Sequence, residues 1–286
     1  MKTWNRRFGR GWFMRAVLGA LLATAATMAN AESQTLRFGV LNQRSPQLTA
    51  SYWNPILEYI GRRTGVTLVL GMGKTAPETT AMTLRGDFDF AFTNHLFTPD
   101  RDKLGWQVIA RPKGDPIIGE VVVMSDSPHR TLASIKGQEV AFPSQEAFVG
   151  YQVPMDKLNK DAIQIKPIFA GNQEGAMGQL RAGVVAAAGV NSKVMARFAE
   201  REKISYRVLW RSENFLDIPI MAHPRVPKKT VEAVRAALIN MANDPEGMTV
   251  LKEVAEIIKQ SPPYGFIAAE NRDYDNYRQF FRDSSL

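Results

Sequence analysis

The sequence predicts an α/β protein of two lobes joined by two crossing strands. Strand-like and helix-like periods alternate along most of the chain, the pattern of mainly parallel sheets covered by helices on both faces. Two extended stretches, 117–125 and 215–223, bracket a central block of about ninety residues. The length of 286 residues suits about two domains. No repeat of 20–50 residues, low-complexity tract or Pro/Gly/Ser linker breaks the pattern.

The chain opens on a segment that stands apart from this rhythm. Residues 1–15 carry Lys2, Arg6, Arg7, Arg10 and Arg15 and no acid, and the apolar-leaning run 16–28 follows, closed by Ala29-Asn30-Ala31. A basic start, a short apolar stretch and an A-x-A site describe a secretory signal cleaved after Ala31. Thirteen residues fall short of the roughly 20 that span a bilayer. Arg6-Arg7 raises the twin-arginine route, but the residues that follow fit it poorly. The whole chain has 36 Lys+Arg against 28 Asp+Glu, a net +8. Without the leader 31 basic residues face 28 acids, a net +3 over 255 residues, which is no electrostatic footprint for nucleic acid. With no cysteine, disulfides, thiolate metal sites, cysteine nucleophiles and a lipid-modified N-terminal cysteine are excluded. The expectation is a soluble exported protein of a Gram-negative periplasm, and its 45% hydrophobic content is ordinary for a globular fold.

Lobe one is expected over 32–124, lobe two over 125–216, and a return to lobe one with C-terminal helices over 217–286. Residues 36–41 alternate as a strand, Trp53, Ile56, Leu57 and Ile60 mark a helix face ending near Gly61 and Gly65, and 66–70 is the next strand. Thr75-Ala-Pro77-Glu78 has the form of a capped helix start with proline in the first turn, so a helix runs from there to Gly86. Strands follow at 88–92, 106–111 and 117–124. The second block repeats the rhythm: a short helix at 132–136, a strand at 139–142, a helix from about 146 to 158, a strand at 165–169, a helix at 173–182, a strand at 184–190, a helix at 192–201 and a strand at 206–210. The chain closes with an extended 218–222, a long helix with Val231, Val234, Leu238 and Met241 on one face, and further helices.

Enzymatic motifs are missing. His95, His129 and His223 are the only histidines, none pairs at ligand spacing, and there is no HExxH, GxSxG, GxGxxG or P-loop. No catalytic residue, metal or cofactor is expected. The informative places are strand-to-helix junctions, where free N–H groups attract anions and polar ligands. Four are polar: Gly73-Lys74-Thr75, Thr93-Asn94-His95, Pro143-Ser144-Gln145-Glu146 and Gly171-Asn172-Gln173-Glu174. Thr75, Ser144 and Asn172 serve equally as helix caps, their commonest use. Trp53 reads as core, while Phe148 and Tyr151, in the first turns after Ser144, read either as core or as walls of a cleft. Ligands of such sheets bind beyond the carboxyl ends of the strands, here between the lobes.

Several segments, in order, resemble the phosphate/phosphite/phosphonate-binding proteins of ABC importers: Phe38-Gly-Val-Leu41, Leu84-Arg-Gly-Asp-Phe-Asp-Phe-Ala91, Ser125-Asp-Ser127 with Leu132-Ala-Ser-Ile-Lys-Gly137, Val140-Ala-Phe-Pro-Ser144 with Gly150-Tyr-Gln-Val-Pro154, Phe169-Ala-Gly171, and Val208-Leu-Trp-Arg-Ser212. The resemblance runs from Phe38 to about Ile267 and implies the two-lobed type II periplasmic binding fold, with two crossing hinge strands and a monomer that hands a small polar or anionic solute to an inner-membrane permease. Ligand positions depart from the family pattern. Ala147-Phe148-Val149-Gly150 stands where the family has a hydroxyl-rich helix start. Gly171-Asn172-Gln173 replaces Gly-Ser-His, Ala186 replaces an Asp, and Asn94-His95 replaces Gly-Pro.

Losing hydroxyls leaves a dianion with fewer donors. If Glu146 and Glu174 point inward, they repel a phosphonate and favour an amine or hydroxyl. The contacts expected are Gln43, Lys74, Thr75, Asn94 and His95 from lobe one, with Ser144, Phe148, Tyr151, Asn172, Gln173 and Asn191 from lobe two. The other readings are an exported sensor component signalling to a membrane kinase with a non-phosphonate ligand, and an enzyme on the same fold. Against the latter, hydroxymethylbilane synthase attaches its cofactor to a Cys that this chain lacks. LysR-type regulators share the ligand-binding fold but carry a helix-turn-helix where this chain has its export signal.

Overall fold

A computed structural model describes Met1 and residues 35–286. The expected signal segment and its cleavage site lie outside the described residues, Met1 apart. Residues 35–286 form one compact unit containing two sheets.

The first sheet includes β1 (Thr35–Val40), β2 (Thr67–Gly71) and β3 (Phe90–Phe92), which pair in parallel. β4 (Gln107–Pro112), β10 (Ile220–Ala222) and β11 (Phe266–Ala268) complete the order β11-β4-β10-β3-β1-β2. The second sheet has the order β7-β6-β8-β5-β9, from β5 (Gly119–Met124), β6 (Glu139–Phe142), β7 (Lys166–Phe169), β8 (Ala187–Asn191) and β9 (Tyr206–Arg211).

One sequence expectation changes here. Residues 119–124 were expected in lobe one, yet β5 pairs with β8 and β9 inside the second sheet. The crossing segment is therefore 113–118, and it meets the returning segment where Ile117 and Phe215 exchange backbone hydrogen bonds of 2.7 and 2.9 Å. Most strands of each sheet share one direction, four of six in the first and four of five in the second, as expected, and the others run against them. β10 runs antiparallel to β3 and β4, β11 to β4, and β5 to β8 and β9. The reason is topological. A strand that enters its sheet directly from a crossing starts at the edge where its neighbours finish, so β5 and β10 must run against them.

The helices form where apolar spacing and caps predict. In α1 (Pro46–Thr64) Ser45 accepts from the Leu48 N–H, and Gly65, with φ 73°, ends the helix left-handed. Its Trp53, Ile56, Leu57 and Ile60 are all buried, and Trp53 packs at 5.1 Å from Phe38 and 5.0 Å from Phe92. Trp53 is thus core, as the helical spacing implied. α2 (Ala76–Leu84), α5 (Gln173–Arg181) and α6 (Ser192–Glu202) each begin at the cleft edge of a strand. After α3 (Pro99–Asp102), the helix expected at 146–158 is built as a wide turn, Phe148–Gln152, running into α4 (Val153–Lys160). The N–H of Gln152 reaches back five residues to the Ala147 carbonyl at 3.0 Å.

That turn sits unusually close to the second sheet because two strand residues there lack a Cβ. A Cβ on Gly119 would lie 2.5 Å from the Val149 carbonyl, and one on Gly189 would lie 2.5 Å from the Phe142 ring and 2.6 Å from the Gly150 carbonyl. The two glycines let the helix start rest directly on β5 and β8, which fixes its position in the cleft.

The closing helices α7 (Lys228–Asn240) and α8 (Pro245–Ile257) cover the first sheet through Val234, Leu238, Leu251 and Val254. α9 (Asp275–Asp283) and Tyr274 just before it do something the sequence did not announce: their aromatic side chains lock the crossing region. The Tyr277 hydroxyl donates to the Leu216 carbonyl at 2.6 Å and that of Tyr274 to the Asp217 carbonyl at 2.5 Å. Ser285 then donates from its backbone N–H to Asp156 of α4 at 2.9 Å. Among the described residues no helix is long and apolar enough to cross a membrane.

Candidate functional site

The strand ends of both sheets point at one another across a narrow polar pocket. Its walls include Asn42, Gln43, Asn94 and His95 from the first sheet's side, and Ser144, the turn 147–150, Gln173 and Asn191 from the second. It encloses about 360 Å³ of empty space, part of it open to solvent.

Asn94, His95 and Ser144 are 3, 4 and 2% exposed. Asn94 Oδ1, His95 Nε2 and Ser144 Oγ all lack a hydrogen-bond partner. Buried polar atoms are rarely left unpaired, since each costs about 1–3 kcal/mol. Three of the residues that line this pocket carry such an atom.

The other walls are held by internal bonds. Asn42 donates to the Gly73 carbonyl at 2.9 Å and accepts from the Thr79 hydroxyl at 2.5 Å, fixing the loop before α2. Gln173 Oε1 accepts the Asn191 N–H at 3.1 Å, while Asn191 Oδ1 accepts from the Lys193 N–H at 3.0 Å and caps α6. Both amides therefore line the pocket with part of their polar capacity already used.

His95 is the electrostatic centre of the site. Its Nδ1 lies 2.7 Å from the Thr80 hydroxyl and 3.5 Å from Glu146 Oε2 across the cleft. Burial lowers the imidazole pKa against the pull of Glu146, so the ring is neutral at neutral pH. Burial would raise the Glu146 carboxyl, but the neighbouring His95, Arg101 and Thr80 outweigh it and hold it down to about 2. Arg101 Nη2 donates to Glu146 Oε1 at 2.6 Å. An ionised carboxylate beside Nδ1 favours the tautomer protonated there, which leaves Nε2 as an acceptor facing the pocket. With Asn94 Oδ1 a second acceptor and Ser144 Oγ able to donate or accept, the pocket is polar but holds no cation of its own.

Both pKa shifts act in the same direction on stability. Glu146 ionises more easily in the folded than in the unfolded chain, so its contribution is fully present above about pH 4.5. It is lost as pH falls towards 2. His95 resists the proton that an unfolded imidazole accepts near 6.5, so it too favours unfolding in acid. Urea midpoints measured between pH 7 and 3 are expected to fall steadily, and Glu146→Gln is expected to flatten the part below pH 5. An unchanged profile in that variant would show that Glu146 is not held by these partners.

The sequence-predicted contacts divide cleanly. Gln43, Asn94, His95, Ser144, Phe148, Gln173 and Asn191 all border the pocket. Lys74 and Thr75 are exposed at its rim. Thr75 caps α2 by accepting from the Glu78 N–H at 3.4 Å, and the next residue, Ala76, donates across the cleft to the Gly171 carbonyl at 3.2 Å. Asn172 caps α5, accepting from the Gly175 N–H at 2.8 Å. Tyr151 turns away and packs on Phe142 and Phe169 at 5.0 and 5.1 Å. Phe148 touches the pocket, but its ring is committed to the core, stacked 4.2 Å from Tyr277 and edge-on to Phe215 at 4.8 Å. Glu174 spends both oxygens on Arg201, at 2.7 Å, and on the Ser45 N–H, at 2.9 Å, so it tethers the two sheets and does not enter the pocket. Sequence reasoning missed Arg101, whose short helix gave no signal, and Arg44, one position beyond Gln43 at the same junction. No cluster of metal-ligating side chains occurs among the described residues.

Comparisons with known proteins agree with this geometry. No curated protein gives a significant sequence match. Among solved structures, a binding-protein component of an ABC phosphonate transporter from Pseudomonas aeruginosa superposes with a TM-score of 0.73 at 18% identity, over 88% of this chain and 87% of its own. A Prochlorococcus marinus protein solved with methylphosphonate gives 0.74 at 14% identity, over 87% and 98%. The alkanesulfonate-binding protein of Xanthomonas axonopodis pv. citri, solved with MOPS, gives 0.62 at 16%, over 88% and 94%. These likenesses establish the type II periplasmic binding fold. A family model described as "ABC transporter, phosphonate, periplasmic substrate-binding protein" matches residues 38–274. Two facing sheets, a polar pocket between them and that match over most of the chain lead to one conclusion: the chain belongs to the periplasmic substrate-binding proteins of ABC phosphonate transporters, which capture a solute for import.

Proposed function

We propose that the pocket around Asn94, His95 and Ser144 captures a small phosphonate-type solute that carries an O–H or N–H of its own, and that closing of the two sheets about 113–118 and 212–219 delivers it to an inner-membrane permease. The observation that carries this reading is the convergence of three buried, unpartnered polar atoms on one pocket between the sheets. Two of them face the pocket as acceptors, and among the described residues no cation lines it. A fully ionised phosphonate would bring only acceptors there, whereas a monoanionic P–O–H group, an amine or a hydroxyl supplies the missing donor. The fold transforms nothing in this reading. Its interlobe bonds, Ala76 to Gly171, Ser45 to Glu174 and Arg101 to Glu146, are contacts that closure adds. The protein works as a monomer in the periplasm, its leader cleaved after Ala31.

Thermal unfolding and titration calorimetry test this with methylphosphonate, 2-aminoethylphosphonate, phosphite, phosphate and methanesulfonate. A ligand at a thousand times its dissociation constant stabilises the native state by about 4 kcal/mol. That is a shift of roughly 8–16 °C at this size. The expected order places 2-aminoethylphosphonate above methanesulfonate, which has no donor. Shifts with non-phosphonate solutes alone would overturn the reading.

A further inference from the structure

A second pocket opens beside the first and shares Gln43 and Asn191 with it. Its character is different. Arg44, just after β1, and Arg197, on α6, approach it from opposite sheets, with Lys113 and Lys193 also on its walls. Among the described residues Asp217 is the only acid lining it, and that carboxylate is already engaged. One oxygen takes Lys193 Nζ at 3.0 Å, and the other takes the Ile218 N–H at 2.8 Å. Glu174, the other carboxylate acting on Arg44, is held by Arg201 and Ser45.

Neither arginine makes a hydrogen bond or ion pair within the described residues. Both are half-buried. Burial and the facing Arg197 bring the Arg44 guanidinium down to about 10, and burial lowers Arg197 as well, against the pull of Tyr52 and Asp217. Both stay charged at neutral pH. Two cations drawn from opposite sheets, desolvated, mutually repelling and without a counter-ion, are costly to the folded protein unless an anion completes them. A guanidinium fork also fits a carboxylate, sulfonate or phosphonate with paired donors.

We propose that Arg44 and Arg197 form an anion subsite of the cleft, which clamps the negatively charged end of the solute between the two sheets while its donor-bearing end lies against Asn94, His95 and Ser144. The assignment of the second end rests on the solute-capture reading above. The subsite itself rests only on the arginine pair and its pocket. It accounts for a first pocket that is polar yet uncharged, because the charge is met next door. It also makes the anion a closing device: each sheet contributes one guanidinium, so the anion relieves a repulsion that otherwise opposes closure.

Sodium sulfate serves as the probe for the subsite alone. At matched ionic strength against sodium chloride, sulfate is expected to raise the unfolding midpoint of the wild-type protein by several degrees more than that of the double variant R44Q/R197Q. General salting-out by sulfate is common to both proteins and cancels in the difference. Without sulfate, R44Q is expected to leave the midpoint unchanged or to raise it, since it removes a repulsion. An equal sulfate response in both proteins, or a lower midpoint for R44Q without salt, overturns the subsite. In parallel, calorimetry compares methylphosphonate with phosphonoacetate and 3-phosphonopropionate, which add a carboxylate. Wild type is expected to bind one of the longer probes about tenfold or more tighter than R44Q/R197Q does. If sulfate separates the two proteins but no phosphonate binds, the subsite stands and the phosphonate reading falls. If phosphonates bind both proteins equally and sulfate does not separate them, the subsite falls and solute capture stands.

Discussion

Phe148→Ala is expected to destabilise the protein by about 3–5 kcal/mol, the usual cost of emptying a buried aromatic site. Its ring is 2% exposed and sits among Tyr277, Phe215, Phe280 and Phe281, with centroids at 4.2, 4.8, 5.1 and 5.5 Å. These neighbours come from the returning crossing segment and from α9, so the cavity would open where the second sheet's helix start meets the C-terminal helix. The neighbouring rings are themselves fixed, Tyr277 by its bond to the Leu216 carbonyl, so the site cannot easily collapse. The midpoint of thermal unfolding is expected to fall by roughly 6–20 °C. Phe148→Leu should recover much of the loss. A change under about 1 kcal/mol in urea titrations would mean that the ring is not seated in this cluster. The family pattern places a hydroxyl-bearing residue close to this position. Here the position carries a phenyl ring seated in the core cluster, while Ser144, four residues earlier, borders the pocket.

The second large effect falls on binding and not on folding. Asn94→Leu and Ser144→Ala each remove one of the unpartnered atoms of the pocket. A hydrogen bond to a charged partner contributes about 1.5–3 kcal/mol, so each variant is expected to weaken solute binding by about tenfold or more. Unliganded Ser144→Ala is expected to keep its stability or gain a little, because an unsatisfied buried polar atom is removed, whereas Asn94→Leu also loses the hydrogen bond between Asn94 and Tyr277 and is expected to lose some stability. Opposite movement of affinity and stability is the signature of a site held ready for a ligand. Loss of both together in Ser144→Ala would instead identify Ser144 as a structural residue.

Much of the fold could be read from the chain because its local rules agree with one another. Thr75 and Asn172 stand at helix starts and cap them, and the α1 apolar face is the one that is buried. The sheet that β5 joins was not legible. Residues 117–124 look like any buried strand, and only pairing with β8 and β9 shows which sheet they join. The role of α9 was also hidden, since tyrosines on a late helix do not declare that their hydroxyls bind the crossing segment.

For the pocket, junction logic found Gln43, Asn94, His95, Ser144, Gln173 and Asn191, because polar residues directly after a strand must emerge at its cleft end. The same logic overreached at Tyr151, one turn further along, where the helix has already rotated its side chain towards Phe142 and Phe169. It could not reach Arg197, which enters the cleft from within α6, a position that nothing in the sequence separates from any exposed helical arginine.

The most direct test of the account is a crystal structure of the protein with whichever phosphonate gives the largest thermal shift. The account requires the solute between the two sheets, with hydrogen bonds to Asn94, His95 Nε2 and Ser144 Oγ. Density for the solute elsewhere on the molecule, with those three atoms still unpartnered, would contradict it.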